Sequence, residues 1–339
     1  MNRKIKNTPI VSVVMSIYSE PEEWLRESVE SILNQTYINF EFIIINDNPK
    51  RELNNLLLEQ YRLKDKRIIL IENEESIGLT KCLNKGLKLA KGAYIVRMDA
   101  DDISLSNRLD EQVKFMDENP HLVASGTNIK YFGKKQNNRG KLILPSDEGT
   151  IRNYFVIQNP NFPPIAHPTA IIRSSVLYDN NITYNENYIT AQDFGLWNEL
   201  LKYGDISNLN KTLLKYRLSD NQITSKKKDN QILTVKKINR KHIDYFFLKH
   251  KIDCVVPSII SLNDIIELKK YKQNSKDKNL ESNFDGFVFC YYLSLDVYDF
   301  KLLIYYLKSL DFINIRIPLN ERLKIFIKIF DKNKYFNYL

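Results

Sequence analysis

An apolar strand runs directly into three carboxylates in the stretch Tyr94-Ile95-Val96-Arg97-Met98-Asp99-Ala100-Asp101-Asp102. A strand buried in a parallel sheet reads as a short continuous apolar run, and ligands of open α/β sheets bind beyond the carboxyl ends of such strands. Neighbouring acids repel one another unless a positive charge lies among them, and carboxylate oxygens suit Mg²⁺ or Mn²⁺. The alternative is a loop of solvated acids in which Asp102 caps the following helix. The stretch predicts either a cation site that could hold nucleotide phosphates or an ordinary strand end.

The composition is typical of a globular protein with an anionic partner. The chain has 339 residues, of which 43% are apolar and 12% aromatic, and its net charge is +9. The charge favours a nucleotide, a lipid surface or a nucleic acid as partner. Its three cysteines are widely spaced and form neither a disulfide framework nor a zinc pattern. No apolar run is long enough to span a membrane, and residues 1–8 lack the apolar segment of a signal peptide, so we expect a cytoplasmic protein.

Strand and helix patterns alternate through the first hundred or so residues. Apolar runs predict strands over 11–18, 40–45, 67–71 and 94–98, and helical spacing predicts helices between them, with Cys82 in the core. This alternation is typical of an α/β protein with a doubly wound, mostly parallel sheet. Neither a Gly-x-Gly-x-x-Gly turn nor a P-loop follows the first strand, so bound phosphates would depend on a metal.

The middle of the chain changes character. A helix is predicted over 106–118 and strands over 122–132 and 170–173, while the polar stretch 133–164 is expected to build an acceptor site or lid. Asp193 precedes apolar residues at helical spacing, which places it in the first turn of a helix. An acid there is favoured by the helix dipole and is ordinarily a cap.

Five motifs of residues 1–125, in order, resemble inverting glycosyltransferase family 2, which has the GT-A fold. They are Val11 to Glu20, Ser31-Ile32-Leu33-Asn34-Gln35-Thr36-Tyr37, Ile43-Ile44-Ile45-Asn46-Asp47, Ala90-Lys91-Gly92-Ala93-Tyr94-Ile95 and Met98-Asp99-Ala100-Asp101-Asp102. Two motifs depart from the family pattern, because Ser19 stands where Asn is usual and Asn46-Asp47-Asn48-Pro49 where Asp-Asp-Gly-Ser is common.

The resemblance implies a set of donor-binding residues. The end of the first strand and the acid after the second hold uracil and ribose in such enzymes, and the Asp-x-Asp stretch contacts ribose and metal, with Asp101 the direct ligand and Asp99 beside it. The implied nucleotide-sugar site is Ser16, Tyr18, Glu20, Asp47, Lys81, Asp99, Ala100 and Asp101. Lys81 is a phosphate contact in this interpretation and a solvated surface lysine in the alternative.

The resemblance also implies a catalytic base. Family 2 enzymes carry Glu-Asp-Tyr or a close variant where this chain has Gln192-Asp193-Phe194, and the Asp is the general base. A single in-line displacement needs one such carboxylate and gives a β-linked product from an α-linked donor.

Three further residues are open to two interpretations or more. Arg97 lies inside a strand, where a charge needs an acidic partner, and its role is either structural or functional. Ser219 stands where many relatives have a histidine that completes the metal site. His167 could replace that ligand, or serve as a structural or acceptor-side residue.

The last third is helical in pattern and basic. Residues 226–251 contain nine Lys/Arg against two acids, with apolar residues interleaved. This pattern favours attachment to an anionic membrane surface, here the inner face of the plasma membrane, or packing of a helical extension on the catalytic domain. We expect a GT-A domain over 1–225, divided into a nucleotide half (1–105) and an acceptor half (106–225), and a basic helical region over 226–339.

The expected function is transfer of a hexose or N-acetylhexosamine from a UDP-sugar to an oligosaccharide or lipid-linked glycan, assisted by Mn²⁺ or Mg²⁺. Looser likeness in the last third is to β-1,3-N-acetylgalactosaminyl- or galactosyltransferases of lipooligosaccharide or capsule synthesis. Two alternatives remain. A sugar nucleotidyltransferase would show a Gly-rich basic loop after the first strand, and a nucleic-acid-binding protein would leave the strand-end acids without a role. We therefore expect no nucleic-acid partner.

Overall fold

Four parallel strands build the first half of the sheet. The computed structural model describes residues 9–133, 140–148, 151 and 164–219, with 231, 234, 235, 237, 238 and 241. Strands β1 (Val11–Ile17), β2 (Phe40–Asn46), β3 (Ile68–Glu72) and β4 (Tyr94–Asp99) lie in the order β3-β2-β1-β4. The strands β1, β2 and β4 are almost wholly buried, as expected of apolar runs covered on both faces.

The connecting helices are amphipathic. They are α1 (Glu22–Leu33), α2 (Glu52–Lys64) and α3 (Leu79–Leu89). Helix α1 follows Pro21, carries acids in its first turn and buries Leu25, Val29 and Ile32 at helical spacing. Cys82 is buried on α3, as the sequence predicted. These elements confirm the predicted βα alternation, and each bound of the four strands lies within one residue of its predicted position.

The second half makes the sheet mixed. It contains β5 (Ile103–Ser104), α4 (Arg108–Glu118), β6 (Leu122–Phe132), β7 (Lys141–Leu142), a 3-10 turn (His167–Thr169), β8 (Ile171–Arg173), α5 (Ser174–Asp179), α6 (Gln192–Leu200) and β9 (Asp205–Arg217). The sheet continues as β4-β8-β6-β9-β5, with β7 on β6. Strand β8 is antiparallel to both of its neighbours, whereas β9 is parallel to β6. The α/β class is therefore confirmed as a mixed sheet of nine strands in the described residues.

The described residues up to Thr234 belong to one compact unit. No helix among the described residues is long and apolar enough to cross a membrane. The polar stretch 133–164 is described only in part and includes β7. The predicted boundary at 225 and nearly all of the basic region 226–339 lie outside the described residues.

Buried hydrogen bonds among Ser12, Glu41 and Gly92 hold the turn before β4. The Ser12 hydroxyl donates to Glu41 (2.6 Å) and accepts the backbone N–H of Gly92 (2.8 Å). A Cβ at Gly92 would lie 2.6 Å from the backbone nitrogen of Ser12. Because backbone cannot move aside, we expect Gly92→Ala to lower the free energy of unfolding by about 1–3 kcal/mol. Urea unfolding measures this, with Gly140→Ala as control because its Cβ would meet nothing within 4 Å. Equal midpoints for both variants would contradict the prediction.

Candidate active site

Three carboxylates cluster at the carboxyl end of β4. One oxygen from each of Asp99, Asp101 and Asp102 lies within 4.8 Å of the others. The backbone of this turn is held from α1, since the Ser28 hydroxyl donates to the carbonyl of Asp99 (2.7 Å). The crevice beyond strand ends is where ligands of such sheets bind.

Asp102 belongs to this cluster and is not a helix cap. Helix α4 begins six residues later, at Arg108, and the short strand β5 intervenes. The buried Asp102 carboxylate accepts the backbone N–H of Arg217 through Oδ1 (2.8 Å). Its Oδ2 is buried and has no hydrogen-bond partner among the described residues. The capping interpretation of Asp102 is therefore wrong, because a long-range contact with β9 takes the carboxylate instead.

The donor set fits a hard divalent cation. Burial, followed by the charges of Asp99 and Glu20, raises the pKa of Asp101. Burial and the charges of Asp101 and Asp99 raise the pKa of Asp102 well above its ordinary range. Acids that repel one another in this way, one with an unpaired buried oxygen, are suited to oxygen coordination of Mg²⁺ or Mn²⁺.

Arg97 supplies positive charge beside the cluster. Its guanidinium forms an ion pair with Asp99, and its side chain is only 6% exposed. Burial lowers the pKa of Arg97, but the carboxylate of Asp99 outweighs it, and the net shift is upward. The sequence-based expectation that Arg97 pairs with an acid is confirmed.

Arg217 clamps the acidic turn from the far end of β9. Its Nε donates to the carbonyl of Asp101 (2.7 Å), and its guanidinium also pairs with Glu27 on α1. The guanidinium stacks between Trp24 and Phe132, 4.8 and 4.3 Å from the ring centroids. Sequence reasoning assigned no role to Arg217. The available signal was a basic residue two positions before Ser219, the position where many relatives have a histidine.

The end of β1 lies next to the acids. Ser16 is in register with Asp99, and Tyr18 is half-exposed just beyond the strand. Glu20 accepts the backbone N–H of Tyr18 (2.8 Å), and burial together with the charge of Asp99 raises its pKa. The structure therefore brings three sequence-predicted site residues, Ser16, Tyr18 and Glu20, to the edge that carries Asp99, Ala100 and Asp101.

Asp47 is buried at the end of β2, where it holds the loop before α3. Its carboxylate accepts the backbone N–H groups of Ile77 (2.8 Å) and Gly78 (2.9 Å), and also bonds Asn73 and Ser76. Burial raises the pKa of Asp47, but these hydrogen bonds outweigh it and the net shift is downward. Lys81 lies in the first turn of α3 with its side chain exposed. The loop that Asp47 holds therefore leads directly into the first turn of α3, which contains Lys81.

Asp193 lies in the first turn of α6, as predicted. The helix starts from Ala191, whose φ of 58° is in the left-handed region, which costs a non-glycine residue about 1–2 kcal/mol. Burial raises the pKa of Asp193, the Phe194 N–H and Arg97 lower it, and Asp99 raises it. The carboxylate is therefore within electrostatic range of the Arg97–Asp99 pair.

His167 is engaged by Tyr184 and not by the acids. Its Nε2 lies 2.9 Å from the Tyr184 hydroxyl, and among the described residues the possible metal cluster contains aspartates alone. Burial, with a smaller effect of Arg97, lowers the pKa of His167 well below its ordinary value, so the ring is neutral. The structural interpretation of His167 is favoured over the ligand interpretation.

Comparison with known proteins gives a consistent assignment. Residues 12–179 match the model of glycosyl transferase family 2. An uncharacterized glycosyltransferase of Haemophilus influenzae is 33% identical over 310 residues, which are 90% of this chain and 92% of that protein. A UDP-Glc:α-D-GlcNAc-diphosphoundecaprenol β-1,3-glucosyltransferase of Escherichia coli is 28% identical over 64% of this chain and 81% of its own length.

The fold has solved counterparts. The crystal structure of S. aureus TarS in complex with UDP-GlcNAc superposes with a TM-score of 0.55 at 16% identity, covering 84% of this chain and 81% of that one. At this identity the likeness establishes the fold, which is the GT-A arrangement expected from the sequence. With a relative one-third identical over nearly its whole length, the motifs and the fold lead to one assignment: this chain belongs to glycosyltransferase family 2.

Proposed function

We propose that this chain transfers a hexose or N-acetylhexosamine from a UDP-sugar to a glycan hydroxyl, with inversion at the anomeric carbon. The observation that carries the proposal is the cluster of Asp99, Asp101 and Asp102 at a strand end, of which Asp99 acts electrostatically on Asp193. The cluster is suited to the diphosphate side of a sugar donor, and Asp193 is suited to its acceptor side. The TarS complex holds UDP-GlcNAc on the same fold, which supports a UDP-sugar as donor.

The donor side is formed by residues at the carboxyl edge of the sheet. Asp101, with Asp99, would hold Mn²⁺ or Mg²⁺, and the bound cation would offset charge on the departing diphosphate. Asp102 offers a third carboxylate. In this proposal Ser16, Tyr18, Glu20 and Asp47, with Ala100, would hold the base and ribose, and Lys81 would contact the phosphates.

The acceptor side depends on Asp193. Its carboxylate accepts the proton of the attacking hydroxyl as the new glycosidic bond forms and the bond to the diphosphate breaks on the opposite face. One carboxylate suffices, because no covalent glycosyl-enzyme intermediate is formed.

For the sugar and the acceptor, we propose GalNAc or Gal transfer in β-1,3 linkage to a lipooligosaccharide or capsule glycan. The E. coli relative forms a β-1,3 linkage on a diphosphoundecaprenol acceptor, which supports a lipid-linked substrate. The basic region 226–339 would then attach the catalytic domain, residues 1–225, to the inner membrane surface.

Measurement of UDP release from a panel of UDP-sugars, with and without glycan acceptors, tests the proposal. Transfer predicts that the acceptor accelerates UDP release. A sugar nucleotidyltransferase would instead release pyrophosphate from UTP and a sugar phosphate, and a nucleic-acid-binding protein would do neither. Absence of acceptor-stimulated release from every UDP-sugar tested would refute the proposal.

Removal of Asp101 should uncouple nucleotide binding from metal. We expect Asp101→Ala to weaken UDP binding about tenfold or more in Mn²⁺ and to leave metal-free binding unchanged, because charge-assisted coordination is lost. Calorimetry with and without Mn²⁺ measures both. Asp110→Ala, an exposed acid in the first turn of α4, is the control. Equal Mn²⁺ dependence in wild type and Asp101→Ala would contradict the prediction.

A further inference from the structure

The 3-10 turn His167–Thr169 is anchored beside the acidic end of β4. The backbone N–H of Arg97 donates to the carbonyl of Ala170 (2.9 Å), directly after the turn. From the other side, Gln112 donates to the carbonyl of Thr169 (2.8 Å). Strands β4 and β8 are antiparallel, with Val96 opposite Ile171. When this register is continued three residues past that pair, the turn lies alongside Asp99. His167 therefore starts from a rigid position next to the metal-side acids.

Tyr184 is held at both ends. Its backbone is clipped to α3 by Asn84, whose side-chain amide donates to the Tyr184 carbonyl and accepts the Tyr184 N–H, both at 2.9 Å. Its hydroxyl is 2.9 Å from Nε2 of His167, and the two rings meet edge to face at 5.6 Å. With a fully buried ring, Tyr184 has little freedom to choose another partner.

His167 also contacts the helix of the proposed base. Asp193 and Trp197 are four residues apart on α6 and so share one face. The rings of His167 and Trp197 meet edge to face at 5.9 Å. Because α6 starts from the strained Ala191, packing of this kind must hold its first turn in place.

From these contacts we propose that His167 and Tyr184 form a positioning pair that sets the place of Asp193 relative to the acids of β4. His167 packs on the Asp193 face of α6, and Tyr184 fixes the orientation of the His167 ring through a directional hydrogen bond. An apolar pair of the same shape would pack equally well at little cost in stability, so the hydrogen bond contributes orientation rather than bulk. The inference rests on the proposed function, since it assigns the pair to the acceptor side of that reaction.

The test removes only the hydroxyl. We expect Tyr184→Phe to lower kcat about tenfold or more, because an error near 1 Å in placing a catalytic group can cost about a hundredfold. The KM for the UDP-sugar and the affinity for UDP with Mn²⁺ should stay within twofold of wild type. Tyr178→Phe is the matched control, since the Tyr178 hydroxyl donates to the carbonyls of Leu87 and Ala90 away from α6, and it should retain wild-type kcat.

A second pair of variants separates orientation from packing. His167→Gln keeps a polar group able to bond Tyr184 and should recover part of the kcat that His167→Leu loses, while thermal melting identifies any variant that fails to fold. A Tyr184→Phe enzyme with wild-type kcat would overturn the positioning role while leaving the proposed function intact. Loss of donor affinity in proportion to kcat would also overturn it, because the pair would then serve the donor. An inactive wild type would refute the proposed function and this role together.

Discussion

Asp193→Asn is expected to lower the rate of sugar transfer by about two to four orders of magnitude, the usual contribution of a general base. Asparagine keeps the shape of the side chain but cannot accept the hydroxyl proton. Donor binding should persist, since the proposed nucleotide site consists of the acids of β4 and the end of β1. Steady-state kinetics with the best UDP-sugar gives the loss in kcat, and calorimetry gives the affinity for UDP.

The Asp193→Asn variant should also fold normally. Burial raises the pKa of Asp193, so folding destabilises its ionised form relative to the unfolded chain. For an acid, a folded pKa above the unfolded one means that stability is lost as pH rises through that range, and a neutral amide avoids this loss. We therefore expect a melting temperature at pH 7 equal to or above that of wild type. Asp179→Asn, at the exposed end of α5, is the control for activity. Near-normal turnover in Asp193→Asn would exclude Asp193 as the base.

The first half of the fold was predictable because its signals are local. The runs that form β1, β2 and β4 are apolar on both faces, and the helices between them repeat their buried residues at helical spacing. Asp193 in the first turn of α6 was predictable for the same reason. Local pattern alone determines such elements.

What the sequence could not reveal depends on contacts between distant segments. The antiparallel strand β8 lies between β4 and β6, and its three residues contain no sequence pattern that predicts those two neighbours. A helix cap was one of two interpretations of Asp102, and what excludes it is a long-range hydrogen bond from the N–H of Arg217, 115 residues later. The His167–Tyr184 bond likewise depends on how the turn before β8 meets the segment before α6. Local propensity contains no information on these pairings.

Arg97→Met should be among the most destabilising substitutions in the chain. The guanidinium is buried, pairs with Asp99 and acts electrostatically on Asp193. Removing one partner of a buried ion pair costs about 3–5 kcal/mol, and we expect the low end because the Asp99 side chain is 32% exposed. Urea unfolding without metal measures the loss.

The same variant separates charge from packing as the reason for a buried arginine. Methionine preserves most of the apolar stem, so a charge effect predicts that Arg97→Lys recovers much of the stability that Arg97→Met loses. It also predicts that Mn²⁺ raises the melting temperature of Arg97→Met more than that of wild type, since a cation among Asp99, Asp101 and Asp102 replaces part of the missing charge. If Arg97→Lys is as unstable as Arg97→Met and Mn²⁺ stabilises neither, the guanidinium serves packing, and the carboxylates of this site are balanced by some other group.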